Sequence, residues 1–232
     1  MFAPLTAFEV EALWLSLRVA AASLVLTLPV GAALAYLLAR GRWGGLWLVE
    51  AAVNLPLILP PVVTGLALLL VFGAQGVVGR ALQQTFGVTL AFHWTGAALA
   101  AAVMALPLVV RSIRLSIEAI DRGLEQAAAT LGASPIEVFR RVTLPLAAPG
   151  LLAGGFLGFA RAFGEFGATV TFAGSIPGET QTLPMAIYLA LQRAQGDVAA
   201  VRLALLSVVV AVIALFVVER FNRSLNHRAH VL

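Results

Sequence analysis

Apolar residues in this chain come in long unbroken blocks, not in the alternation of a half-buried strand or the single stripe of a soluble helix. Charge-free runs cover Val19–Ala39, Ala51–Gly79, Ala81–Val110, Val142–Ala160 and Leu203–Val218, which are 21, 29, 30, 19 and 16 residues long. About 20 apolar residues cross a bilayer as a helix, and a helix satisfies its own backbone hydrogen bonds, which lipid cannot do. The last run is short, but Arg202 and Glu219 at its ends can extend toward the interfaces. The pattern predicts an all-α polytopic membrane protein with five spans, placed at about Ala12–Ala39, Leu46–Phe72, Trp94–Val110, Gly150–Phe172 and Arg202–Val218.

Polar punctuation refines these elements. Pro56, Pro60 and Pro61 remove backbone donors from the second span and are expected to bend or break it. The third span is rich in Ala and Gly, as helices in close contact within membranes are. Between Gly73 and His93 the residues give little sign of a folded unit. From Arg111 to Pro149 the chain turns polar. There Ile113, Ile117, Ile120 and Leu124 recur at helical spacing and predict an amphipathic helix. Ser134-Pro135 with Glu137 is good chemistry for the start of a second, short helix. Met185–Gln195 reads as a short helix lying at, or partly in, the membrane.

Composition agrees, at 61% hydrophobic and 11% charged residues. All fifteen basic residues are arginine, and their placement sets orientation. Ten fall in the segments after the first, third and fifth spans, against three (Arg80, Arg193 and Arg202) on the other side. This positive-inside bias predicts an outside N-terminus and an inside C-terminus. Residues 1–11 become an external segment, 12–218 the transmembrane domain with 111–149 in the cytoplasm, and 219–232 a cytoplasmic tail. The net charge of +4 thus reflects topology and gives no reason to expect nucleic acid. Glu9 and Glu11, with no positive n-region, argue against a cleavable signal peptide, leaving the first span as the insertion signal. A chain without cysteine forms no disulfide or thiolate site, and one without lysine cannot carry a phosphate-binding P-loop. Neither a nucleophile elbow nor a His-Glu-x-x-His motif is present.

The candidate chemistry concentrates in three places. In residues 125–150, the small Ala127 and Ala128 allow close approach of a partner groove. Gly132 allows a sharp exit from a helix, and Leu144-Pro145 fixes the return into the membrane. In the fourth span, Arg161 and Glu165 are four residues apart near mid-membrane, either as a helix-locking ion pair or as the lining of an anion route. The stretch Asn54–Gly65, holding Pro60, Pro61 and Thr64, is a hinge, a route-lining break or a tolerated kink. Arg18 is expected to snorkel to the outer interface and His93 to be an interface residue, not a metal ligand.

The loop resembles the cytoplasmic coupling loop of ABC importer permeases, whose pattern is Glu-Ala-Ala, three residues, Gly, nine residues, then a hydrophobic residue, any residue and Leu-Pro. Gln126, Ala127 and Ala128 take the first places, Gly132 falls at the required spacing, and Val142 leads to Leu144-Pro145. The departure is Gln126 where the pattern has Glu, with Glu125 one place earlier. Phe163-Gly-Glu-Phe-Gly-Ala-Thr169, continued by Ile176-Pro-Gly-Glu-Thr-Gln-Thr-Leu-Pro184, looks like the molybdate permease subunits of that type I importer family. So do Leu59-Pro-Pro-Val-Val, Phe92-His-Trp-Thr-Gly-Ala and the block from Ala102 to Arg114.

The resemblance implies a homodimer in the inner membrane, two ATPase subunits on the cytoplasmic face and an external molybdate-binding protein. ATP and Mg would be bound by the partner ATPase, with no cofactor in this chain. Glu125, Gln126, Ala127, Ala128, Gly132, Leu144 and Pro145 would couple to the ATPase. Asn54, Pro60, Pro61, Thr64, Arg161, Glu165 and Thr169 are the candidates for the route or for locking helices. A sulfate or tungstate permease is the near alternative, and an ion-coupled secondary transporter the distant one.

Overall fold

In a computed structural model of the chain, residues 5–194 and 196–229 are described, and all their regular structure is helical. The helices are α1 (Ala7–Arg40), α2 (Leu46–Ile58), α3 (Pro61–Phe72), α4 (Val77–Phe86), α5 (Trp94–Glu118) and α6 (Arg122–Thr130). After them come α7 (Pro135–Val138), α8 (Leu144–Leu146), α9 (Ala148–Phe163), α10 (Gly167–Phe172), α11 (Leu183–Leu191) and α12 (Asp197–Ala229). By length and apolarity α1, α5 and α12 can each cross a bilayer, and two bent pairs raise the total to as many as five. One pair is α2 with α3, turned through 117°; the other joins Pro135–Leu146 to α9 at 67°.

The core is a seam of small residues on α5. Gly96, Ala97, Ala98, Ala100, Ala101, Ala102 and Ala105 are all buried there. α9 answers with Gly150, Gly154, Gly155 and Gly158, and α1 with Ala20 and Gly31. A Cβ at Gly150 would lie 2.3 Å from Ser116 Cβ, and one at Gly158 would lie 2.6 Å from Val109 Cγ2. Such close approach, not apolar attraction, holds helices together in lipid.

End contacts set the directions. The Arg40 guanidinium, closing α1, donates to the carbonyls of Ile117 (2.9 Å) and Ile120 (3.3 Å) at the end of α5. At the opposite end, Arg18 lies 3.7 Å from the Trp94 ring that opens α5. This is a cation–π contact, and Arg18 remains exposed. α1 and α5 therefore run parallel, and the segment between them must travel back, which the bent pair α2–α3 does. α9 runs opposite to α5, since Gly150 meets Ser112 and Ser116 while Ala162 and Phe163 join the cluster around Ala97 and Ala98.

Several boundaries differ from the sequence reading. α1 begins at Ala7 and not near Ala12, because Thr6 and Glu9 form a capping box (Glu9 N to Thr6 Oγ1 3.3 Å, Thr6 N to Glu9 Oε2 2.8 Å). The third span does not stop at Val110. α5 continues to Glu118, so Ile113 and Ile117 belong to it and are buried against α1, not to a separate helix in the loop. The continuation is stable because Arg40 satisfies its last carbonyls. The fourth span is not one helix to Phe172; it breaks over Gly164–Phe166, between α9 and α10. The outer loop after Gly73 contains α4, closed by Gly87 at φ +66°. The predicted short helix is α11, Leu183–Leu191, and Gln195 lies outside the described residues.

The seam makes a contrasting pair of predictions. Gly150→Leu forces α9 away from Ser116, with an overpacking cost of about 1–3 kcal/mol, and lowers the unfolding temperature of the purified protein. Gly155→Ala, whose new Cβ would find only Leu28 at 3.8 Å, leaves that temperature nearly unchanged.

Candidate functional site

Residues 121–147, which carry six of the chain's charged residues, form a bracket between the ends of α5 and α9. Asp121 caps α6 by accepting from Gly123 N (2.8 Å). The helix closes in a Schellman turn, with Ala133 N bonded to Ala128 O (3.2 Å) and Gly132 N to Ala129 O (3.0 Å). Gly132 holds φ +89° with open space where a Cβ would sit. Its requirement is backbone conformation, not room. Ser134 then starts α7 with a second capping box to Glu137. A π-turn over Phe139–Thr143 leads through α8 to the 67° corner into α9.

The bracket has an inner and an outer side. Glu125 faces inward; its carboxylate is 3.0 Å from Arg40 Nε and accepts from the Thr143 hydroxyl at 2.7 Å. Gln126 and Ala127 are exposed, Ala128 is half-buried, and Leu144 and Pro145 are exposed. Three larger apolar residues of the bracket are exposed: Leu131 is 89% exposed, Leu124 51% and Ile136, which lines a groove against Tyr36 and Leu37 of α1, 70%. Sequence reasoning put Leu124 on an amphipathic face with Ile113 and passed over the other two. The available signal was large apolar residues on either side of a helix-ending glycine in a polar stretch.

Glu137 carries the resolved titration effect here. The Ser134 backbone N–H (2.9 Å) and hydroxyl (2.9 Å), helped by Arg141, hold its carboxyl below the usual carboxylate range.

The route candidates divide. Pro60 and Pro61 lie at the α2–α3 break and are exposed, while Thr64 is buried with its hydroxyl unpartnered among the described residues. A Cβ on Gly167 would lie 2.7 Å from Pro61 Cβ, so the break before α3 touches the break before α10. Arg161 and Glu165 pair across that second break, and Glu165 also accepts from Ala168 N (2.8 Å), capping α10. Thr169 is buried and bonds back to Phe166 O (2.9 Å). Asn54 stands apart. It donates to Glu50 O (2.8 Å) and lines a cavity of about 310 Å³ with Glu50, Arg111, Arg114 and Glu118. His93 bonds Glu179 (2.9 Å) and Thr95 (2.9 Å), tying the loop after α10 to the start of α5.

The family described as "Binding-protein-dependent transport system inner membrane component" matches residues 27–227. The molybdenum transport system permease protein ModB of Escherichia coli K12 is 48% identical over 225 residues, covering 97% of this chain and 98% of that one. ModB of Haemophilus influenzae Rd is also 48% identical, over 95% of this chain and 96% of its own. A solved structure of the MetNI methionine ABC transporter, facing inward, superposes with a TM-score of 0.76 at 21% identity, covering 97% of this chain and 99% of that one. At that identity the likeness concerns fold.

Two predictions arise from this geometry. Arg161→Met leaves the Glu165 carboxylate, whose side chain is 1% exposed, without its counter-charge and destabilises the purified protein by about 3–5 kcal/mol. The double variant Arg161→Met/Glu165→Gln regains more than half of that in the same thermal melts. The second concerns pH. A lowered carboxyl pKa means the cap at Glu137 contributes fully above the unfolded value, about 4.3, and is lost as pH falls through the lower folded one. Protection of the Ser134 amide, which donates to that carboxylate, measured by hydrogen exchange, therefore holds from neutral pH down to about 4.3 and declines below it.

Proposed function

The chain belongs to the binding-protein-dependent transport system inner membrane components, and from that premise we propose that it is the membrane-spanning subunit of an ABC importer that carries molybdate inward. The observation that carries this reading is near-full-length identity of 48% to molybdate permeases, in a chain whose bracket presents exposed apolar residues. The five-span topology, N-terminus out and C-terminus in, is supported by the distribution of arginine. The alternating directions of α1, α2–α3, α5 and α9 agree with it. The bracket then lies in the cytoplasm, within 111–149.

Two copies of the chain pair, and each presents Gln126, Ala127, Leu131 and Ile136 to one ATPase subunit, which supplies the ATP and Mg site. Closure of the ATPase pair moves the two brackets, and the helices attached to them rock as bodies between inward- and outward-open states. A binding protein delivers the anion at the outer face. The route is assigned to the neighbouring breaks at Pro60–Pro61 and Gly164–Gly167, where irregular backbone is tolerated because it lines a cavity or is covered by protein. Arg161, neutralised by Glu165, serves there mainly as a lock. An uncompensated arginine at that depth would hold a dianion too tightly to release it.

The test is uptake into proteoliposomes holding this chain, its ATPase and its binding protein. Molybdate enters only with ATP inside the cytoplasmic face, and equimolar sulfate does not compete. ATP-driven sulfate uptake without molybdate uptake overturns the substrate and keeps the architecture. Uptake by the chain alone under an ion gradient overturns both. Gly132→Val, which places a β-branched residue at φ +89°, is expected to abolish ATP-driven uptake while membrane insertion stays normal.

A further inference from the structure

Glu125 stands one place ahead of the position where the coupling pattern has its acid, and its surroundings give it a different task. Its two carboxylate oxygens hold two elements far apart in sequence. Oε2 lies 3.0 Å from Arg40 Nε at the end of α1, and Oε1 accepts from Thr143 Oγ1, in the turn leading back to α9, at 2.7 Å. The side chains of Arg40 and Glu125 are 12% and 15% exposed, and Thr143 is fully buried. Arg40 also donates to the last carbonyls of α5, and Arg122 on the first turn of α6 donates to Ala39 O (3.4 Å). One carboxylate thus joins the inner ends of α1, α5 and the α9 lead to the helix that carries the outward surface. The Thr143 hydroxyl gives the carboxylate a charge-assisted hydrogen bond, one of the strong kind, and Arg40 sets its opposite charge beside it as an ion pair; both count for more away from water.

We propose that Glu125 is a positioning residue that never touches the ATPase and instead makes the docking bracket move as one body with α1, α5 and α9. This rests on the importer reading for its consequence but not for its geometry. A loop that hinges freely absorbs the ATPase stroke; a loop fixed at three points transmits it. Loss of the carboxylate therefore separates docking from transmission. Hydrolysis continues, and transport per ATP falls.

The experiment uses the reconstituted complex and the cysteine-free background of the chain. In Glu125→Gln the ATPase is expected to co-purify at the wild-type ratio and hydrolyse ATP within about twofold of the wild-type rate, while molybdate taken up per ATP falls about tenfold. Spin labels on cysteines placed at Thr130 and Trp43, both exposed, in a labelled chain diluted into excess unlabelled chain, give a single narrow distance distribution in the parent and a broadened one in Glu125→Gln. Thr143→Val, which keeps the carboxylate and removes its hydroxyl donor, gives an intermediate loss and serves where Glu125→Gln fails to fold. Unchanged uptake per ATP with an unchanged distribution overturns the proposal. So does loss of ATPase co-purification with the distribution still narrow, which would put Glu125 in the docking surface. A parent complex with no ATP-driven uptake of molybdate or sulfate refutes the importer reading, while the label distances still decide the positioning role.

Discussion

Lipid tails give apolar helices no reason to prefer one another, so the architecture depends on the depth to which backbones can interpenetrate. Here that depth is set along α5. Its alanines form a face shallow enough for α9 to bring Gly154 toward the Val109 carbonyl, where an added Cβ would stand 3.2 Å away. α1 enters beside it through Gly31, whose Cβ would meet Val109 Cγ1 at 2.8 Å. Once these three helices are seated, the ends of α1 and α5 are side by side and the α9 lead emerges next to them. The bracket is then fixed in place by its attachments.

The same solvent explains where polar atoms are spent. A helix that stops inside a bilayer exposes donors and acceptors with no water to receive them. At the α9–α10 break the answer is Glu165, which takes the Ala168 amide and is itself neutralised by Arg161. At the α2–α3 break it is proline, which has no donor to leave unpaired at the first position of α3. The two solutions meet where Gly167 lies against Pro61. The two breaks thus support each other, and α10 beyond them packs Ala168 and Phe172 against Ala100 and Met104 of α5.

Much of this was legible in the residues, and the exceptions share a cause. The charge-free runs locate α1, α5 and α12 because hydrophobic length is a local property. The proline cluster announces the break before α3 for the same reason, and the spacing from Gln126 to Pro145 carries the bracket. What failed was any feature decided by a distant partner. α5 extends beyond Val110 because Arg40, some 77 residues away in sequence, closes its last turn. α9 ends at Phe163 because a carboxylate two residues on prefers the amide of α10 to a place in a continuous helix. Leu131 and Ile136 escaped notice because exposure of an apolar side chain is a property of the folded surface, and composition alone treats them as core. Asn54 sits by an inner cavity and not with Thr64 because the 117° turn between them redirects the chain.

The one-place offset between Glu125 and the acid of the coupling pattern has a geometric meaning. A step of one residue on an α-helix turns a side chain by about 100°, enough to carry it from an outward face to an inward one. At 126 an acid would look toward a partner; at 125 it meets Arg40 and Thr143. The neutral Gln126 keeps the exposed position without charge, next to the exposed Ala127. The Glu125 charge is withdrawn to the interior, where salt screens it least. On the proposed roles, recognition and transmission fall to different residues of one helix, so a change at an exposed position such as Gln126 leaves the Arg40–Glu125–Thr143 contacts in place.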